Sequence, residues 1–454
     1  MAAACSPVGS NRTVFHVKHV GVVLEATVPR ETRSSKPPFH VKHRTYVPIR
    51  DVSRGTSALT PHNVAGCYHA RVNLRRASLI GAVLLALPLL ASCVGVTSPD
   101  GWAAPVVDGE EFYISTNKGY LARISLTESN TANATWTFPD NDLESDKDIE
   151  PEALYGAPVV DDEIVYFTTF EAGVFALNKE DGRPIWPLPG ETNEDRINGD
   201  LAGGLALADG VLYFGSTEGK LYAWRASDGV DAPGWEEPLS FSGGIWATPV
   251  IREGILYVAT MDGELHALNL SDGSEVWSSP FEANGAIPEV VDLQNGRLLV
   301  TSIDRHVYVL DAATGEQLSD YRASDWVWTT PGIDGDSIYF GDFGGTVYGL
   351  DISTSPSGQL WEPTELGDDR IKAGAAVING VVVIADRNPV VTFLDAGSGQ
   401  VLNSVPIDGA GTVRADVIDG GDGFAYILTT RGNLFRANPA NRSVVEIQIS
   451  GVKR

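Results

Sequence analysis

Residues 247–277 read ATPVIREGILYVATMDGELHALNLSDGSEVW, with apolar and polar positions alternating in short bursts. Alternation of period two puts every second side chain on one face of a strand, so the pattern predicts strands and not helices. Four are expected, at 248–251, 255–260, 264–269 and 274–277, with Leu256, Val258, Leu265 and Ala267 on the buried face. Glu253-Gly254, Asp262-Gly263 and Asp272-Gly273 mark the connections. Glycine has no Cβ to clash, so it admits the left-handed backbone of a tight hairpin.

The same order recurs from Trp102 to about residue 450. A proline or its equivalent opens each copy, at Pro105, Pro158, Leu205, Pro249, Pro288, Pro331, Ala375 and Asp416. The separations run from 39 to 53 residues, near the roughly 40–50 of a propeller blade. One such unit cannot bury both faces of its sheet, so neighbours must stack and the array must close. The fold class expected is therefore all-β: an eight-bladed β-propeller with four-stranded antiparallel blades, covering 102–450.

Composition agrees with a turn-rich β protein: 48 Gly and only 2 Met. Charge is uneven. Residues 1–92 hold 12 of the 33 basic and 3 of the 59 acidic residues, which leaves 93–454 at a net −35. A body of that charge repels nucleic acid, so no nucleic-acid partner is expected.

The N-terminal region is different. FHVKH occurs at 15–19 and again at 39–43. Back-translation of both, and of VPRET at 28–32 and VSRGT at 52–56, gives one CACGTG core in matching flanks but in two reading frames. This resembles the DNA site of bacterial chromosome-partition proteins, and repeats that agree as DNA but not as peptide point to selection on DNA. Residues 1–71 are therefore expected to be untranslated intergenic sequence, disordered if made. From Val72 the chain reads as a secretory leader, 72–92. Arg75 and Arg76 precede the apolar run 78–90, which is too short to span a bilayer comfortably. Leu90-Ala91-Ser92-Cys93 is similar to the bacterial lipobox, which implies lipidation of Cys93 and a lipid anchor outside the cytoplasm. A short tether, 93–101, follows. The three cysteines are Cys5, Cys67 and Cys93, so the repeats hold no disulfide and no cysteine metal site.

Candidate chemistry is sparse. His266 and His306 are the histidines of the repeats, and both stand where a strand residue is expected to be structural. Asp334-Gly335-Asp336 falls where other repeats have a hairpin turn. One constellation stands out: Trp102, Tyr155, Trp246 and Trp328, with Lys372, each three residues before the proline-equivalent. That position leads into the innermost strand, at one mouth of the channel. It reads either as a plug of packed aromatics or as a ring that stacks on a partner or ligand. The acidic connections 140–154 and 191–201 are a second candidate surface, and deletion of 141–150 is expected to spare folding.

The repeat AxDxxTGxxxW, seen at 268–277, 177–186, 310–318 and 394–402, resembles the quinoprotein (PQQ-like) propeller family over about 102–450. In that family the tryptophan packs between blades. Trp136, Trp186, Trp235, Trp277 and Trp361 hold the place here. The fifth, seventh and eighth repeats lack it and are expected to have weaker, aliphatic joints. Dehydrogenase members bind PQQ and Ca²⁺ beside an adjacent cysteine pair, which these repeats lack. The resemblance implies the cofactor-free lipoprotein branch that serves outer-membrane protein assembly. The expected function is a non-catalytic protein-binding scaffold in the cell envelope, a monomer within a complex. Its expected partners are envelope or membrane proteins, with no cofactor and no metal. The alternatives are a ligand-binding sensor and a PQQ-dependent dehydrogenase-type quinoprotein.

Overall fold

A computed structural model describes residues 101–452, apart from 128–129, 141, 144–145, 147–148, 172, 188–195 and 368. Upstream it describes only an antiparallel pair, Phe15–His16 with Val23–Leu24. Met1–Val96 and Thr97–Arg454 are separate units. Apart from that pair, the expectations for 1–71, for the leader 72–92 and for Cys93 lie outside the described residues.

All the named elements of Thr97–Arg454 are strands. Residues 247–290 show how the sequence builds them. Val250–Arg252, Ile255–Ala259 and Glu264–Asn269 form an antiparallel meander. Glu253 and Gly254 turn the first hairpin with φ of 49° and 80°, the paired left-handed conformation of a two-residue turn. The expected fourth strand at 274–277 is not the edge of this sheet. Only Glu275 bridges Leu268 before the chain departs. It rejoins as Phe281–Glu282, paired with Leu265 and Glu264. Trp277 lies between sheets and donates from Nε1 to the Ala312 carbonyl of the next repeat (3.1 Å).

Burial also departs from a one-faced strand. Leu256, Tyr257, Val258 and Ala259 are all buried. Leu256 and Val258 pack with Tyr213, Leu221 and Ile245 of the preceding repeat. Tyr257 and Ala259 pack with Leu298, Val300 and Leu310 of the following one. This strand is thus covered on both faces, whereas outer strands such as Val401–Pro406 are exposed along most of their length.

Four-stranded sheets of this kind span 159–186, 205–240, 250–282, 289–322 and 376–406. The sheet at 332–359 gains a fifth strand, Thr364–Glu365. The remaining sheet has eight strands and two antiparallel halves, 106–138 and 418–450. The halves meet edge to edge where Gln448, Ile449 and Ser450 pair in parallel with Thr131, Ala132 and Asn133. Below that seam, Ile114, Ile124 and Ala132 pack with Tyr426, Leu434 and Ile447. The first and last repeats therefore share a core, and the circuit of packed sheets is closed.

The tryptophans work at the joints as expected, and one bond recurs. Trp136 Nε1 donates to Lys179 O (3.0 Å), Trp186 to Ala226 O (2.8 Å), Trp235 to Leu270 O (3.2 Å) and Trp361 to Ala396 O (3.0 Å). The motif glycine serves the same joint. Gly315 has φ of 74°, and a Cβ there would lie 2.7 Å from the Trp277 ring. Hence the glycine and the tryptophan of neighbouring repeats belong together. The fifth repeat lacks the tryptophan but keeps the bond: Arg297 Nη1 donates to Ile352 O (2.7 Å). That joint packs largely aliphatic groups, with this bond added.

Other expectations are settled locally. His266 is buried against Phe241 with Nδ1 3.0 Å from Glu275 Oε1; His306 stacks on Tyr308. Both are structural. Asp334 pairs with Ser337 across a hairpin turn. The connection 140–154 is more than a solvated loop. Asp146 is buried and accepts from Asp140 N (2.8 Å), and Ile149 and Leu154 join the core between the first two sheets. Deletion of 141–150 therefore removes core groups, contrary to the expectation that it spares folding.

Candidate functional site

Seven repeats return to the axis through one recurring backbone hydrogen bond, and that bond aligns them. Phe170 N donates to Ala153 O, Thr217 N to Asp200 O, Met261 N to Gly244 O and Ile303 N to Ala286 O. Phe343 N donates to Trp326 O, Arg387 N to Arg370 O and Thr430 N to Thr412 O. Two residues beyond each acceptor stand Tyr155, Ala202, Trp246, Pro288, Trp328, Lys372 and Arg414. In the first repeat the corresponding place is taken by Trp102, whose N–H donates to Leu154 O (2.9 Å). All eight line one cavity of about 220 Å³.

The five residues singled out in the sequence are therefore brought together. Trp102 and Tyr155 lie with ring centroids 4.1 Å apart, and Trp246 and Trp328 6.4 Å apart at 69°. Lys372 Nζ lies 3.7 Å from the Trp102 centroid and 5.0 Å from that of Trp328. Such contacts stabilise an ammonium where water is scarce. Each ring keeps part of its surface open to the cavity, so the aromatics are its wall and do not fill it. Phe170 packs against Tyr155 (ring centroids 5.1 Å apart) and Phe343 against Trp328 (6.3 Å).

Three charged residues of the wall were missed in the sequence: Arg414, Glu289 and Asp416. The reason is register. The hydrogen-bond series puts the proline-equivalents of the fifth and eighth repeats at Val291 and Val417, not at Pro288 and Asp416. Correctly aligned, Arg414 occupies the place of Lys372. Asp416 falls where other repeats have Ala104, Ala157, Gly204, Thr248, Thr330 and Gly374. Glu289 falls where they have Gly156, Gly203, Ala247 and Ala373. An acid in a column of small residues was the available signal.

The electrostatics follow from depth and from neighbours. Burial, then Asp416, pushes the Glu289 carboxyl up to about 8, so it is largely protonated at neutral pH. Burial also raises Asp416, opposed by bonds from Thr330 Oγ1 (2.7 Å) and Gly374 N (2.5 Å) and by the charge of Lys372. Burial, then the Arg414 charge, lowers Lys372 to about 7, with Asp416 acting the other way.

The described wall residues do not fit a PQQ and calcium site of the quinoprotein dehydrogenase type. Among the described residues no group of three or more His, Cys, Asp or Glu side chains is placed to hold a metal. The Trp102 ring, one surface on which a flat cofactor would stack, already carries Lys372 and Tyr155.

With this geometry in hand, the likeness to known proteins is specific. The family described as outer membrane protein assembly factor BamB matches residues 99–188, 190–285 and 285–451. BamB of Salmonella typhimurium is 31% identical over 335 residues, covering 60% of this chain and 83% of the relative. BamB of Escherichia coli is 32% identical over 267 residues, covering 54% and 64%. Among solved structures, BamB from Moraxella catarrhalis superposes with a TM-score of 0.57 at 14% identity, over 78% of this chain and 95% of that one. The computationally designed Ika8 protein gives 0.57 at 17%, over 74% and 97%. These two structures show the fold. The chain is a β-propeller of PQQ-like repeats and belongs to the family described as outer membrane protein assembly factor BamB.

Proposed function

We propose that this protein is a lipid-anchored, extracytoplasmic propeller of eight blades that acts as a non-catalytic protein-binding scaffold in envelope protein assembly. The observation that carries the reading is the family match, which runs along the described ring from 99 to 451. The relatives it names are assembly factors for outer membrane proteins. The blade count treats the halves 106–138 and 418–450 as separate blades. It is supported by the eight apolar clusters, each lying between two consecutive repeats around the circuit. Anchoring through Cys93 and a place in the cell envelope rest on the leader 72–92 and on the relatives. Partner binding rests on the outer surface of the ring, to which connections such as 140–154 contribute.

The reading separates from the dehydrogenase alternative by one reconstitution. Purified protein mixed with PQQ and Ca²⁺ is expected to show no bound-quinone absorbance and no alcohol-dependent dye reduction. Quinone bound in a one-to-one ratio with turnover would overturn the scaffold.

A further inference from the structure

The axial cavity carries chemistry that a protein-binding outer surface does not use. We propose that it binds a small organic monocarboxylate, whose carboxylate is held by Lys372 and Arg414 and whose apolar part lies against Trp246 and Trp328.

Three observations on the wall lead there. Lys372 and Arg414 both face the cavity, yet neither makes a hydrogen bond or ion pair with any described residue. Their neighbours are the faces of Trp102 and Trp328, which accept no directed hydrogen bond, and Asp416, which acts on Lys372 through its charge. A guanidinium has five N–H donors and an ammonium three, and both half-buried heads line the cavity, where an acceptor can reach them. Two like charges side by side also repel, and an anion between them relieves that cost. A carboxylate matches the guanidinium fork and can take the ammonium at the same time.

The anionic groups of the wall do not supply that acceptor. Asp416 is engaged by Thr330 Oγ1 and Gly374 N on the neighbouring inner strands. Glu289 is held largely neutral at pH 7 by burial and by Asp416, and in that form it offers a further donor. The local balance therefore favours one negative charge, although the body of the protein is strongly acidic. The volume, about 220 Å³, is below the roughly 300–1,000 Å³ of sites for drug-sized molecules. It suits an occupant the size of one substituted ring. Trp246 and Trp328, at 69° to each other, give that ring one face and one edge to meet.

The pH dependence has a defined sign. Lys372 carries its charge below about 7 and loses it above; Glu289 is neutral below about 8 and gains a negative charge above. Asp416, oriented by its two bonds, supplies no new positive charge on either side. Both changes on raising the pH disfavour an anion.

The probe is benzoate, with benzamide as its neutral and benzylammonium as its cationic counterpart. Each is titrated into the full chain in detergent, followed by tryptophan fluorescence and calorimetry. At pH 6, saturable one-to-one binding of benzoate is expected, with benzamide and benzylammonium at least about tenfold weaker. Benzoate is expected to weaken by about tenfold between pH 6 and pH 8.5. Lys372→Met and Arg414→Gln should each cost about tenfold, whereas Lys372→Arg should bind benzoate and lose most of the pH dependence. Unchanged near-UV dichroism separates a lost site from a lost fold. No saturable benzoate binding by the folded wild type, or tighter binding of benzylammonium, would overturn the proposal. Neither result bears on capture of a protein partner, so the two readings fail independently.

Discussion

Truncation after Arg442 is expected to abolish cooperative folding of the propeller. The strand Ser443–Ser450 makes five antiparallel pairs with Leu434–Asn438 on one side and three parallel pairs with Thr131, Ala132 and Asn133 on the other. It also delivers Ile447, 1% exposed, into the core shared by the first and last repeats. Losing one fully buried isoleucine costs about 2–5 kcal/mol; losing its strand as well approaches the whole stability of a typical domain, about 5–15 kcal/mol. The truncation also leaves Thr131–Phe138 as an open edge, a template for pairing with other chains. The truncated chain should therefore run as aggregate in size exclusion and show no sharp transition in guanidinium. Ile447→Asp, which spares the backbone, should fold but lose about 3–5 kcal/mol for the same reason. A truncated chain that unfolds with the midpoint of the full chain would mean that the ring does not close through this seam.

Trp361→Ala is expected to be the most destabilising single truncation at a joint, by about 3–5 kcal/mol. The ring packs between the sixth and seventh repeats, and its Nε1 is the side-chain donor to Ala396 O. It lies so close to two glycines that a Cβ on Gly349 or Gly399 would sit 2.5 or 2.4 Å away. Alanine leaves a cavity between two glycines that have no side chain to fill it, and an orphaned carbonyl. Trp361→Phe keeps most of the packing and loses the bond, so about 1–2 kcal/mol is expected. Gly399→Ala attacks the joint from the other side. It forces a Cβ into the ring and into a left-handed backbone, φ 69°, for at least about 1–2 kcal/mol. Equilibrium denaturation of the three variants checks the order. Equal midpoints for Trp361→Ala and wild type would show that the motif tryptophan is not what joins the repeats.

The sequence made the repeat legible because hairpin turns and motif glycines punctuate it at even intervals. Glu264–Asn269 was located to the residue, since a strand between two Asp-Gly turns has no freedom to slide. The fourth strand was misplaced: Trp277 packs at the joint to the next repeat, and the edge of the sheet is Phe281–Glu282. Periodicity reports that a residue is buried and is silent about which neighbour buries it. The same limit hid the two-faced burial of Ile255–Ala259. At the axis, the five aromatic and basic residues were found by counting back from proline. Glu289 was not found because Ile287-Pro288 mimics the repeat start three residues early, and Arg414 and Asp416 because the eighth repeat, which has no proline, was set one residue early at Asp416. Only the hydrogen bonds from Ile303 N and Thr430 N restore the true alignment.

The scaffold reading is tested most directly by what leaves the membrane with the protein. Cells carrying the native chain are treated with a short cleavable cross-linker. The chain is then extracted in mild detergent, purified through a C-terminal tag and analysed by quantitative mass spectrometry against an untagged control. The account predicts a membrane-embedded protein cross-linked to the propeller's outer connections and recovered in about the same amount as the propeller. A propeller recovered alone, with no cross-linked protein above the control, would contradict it.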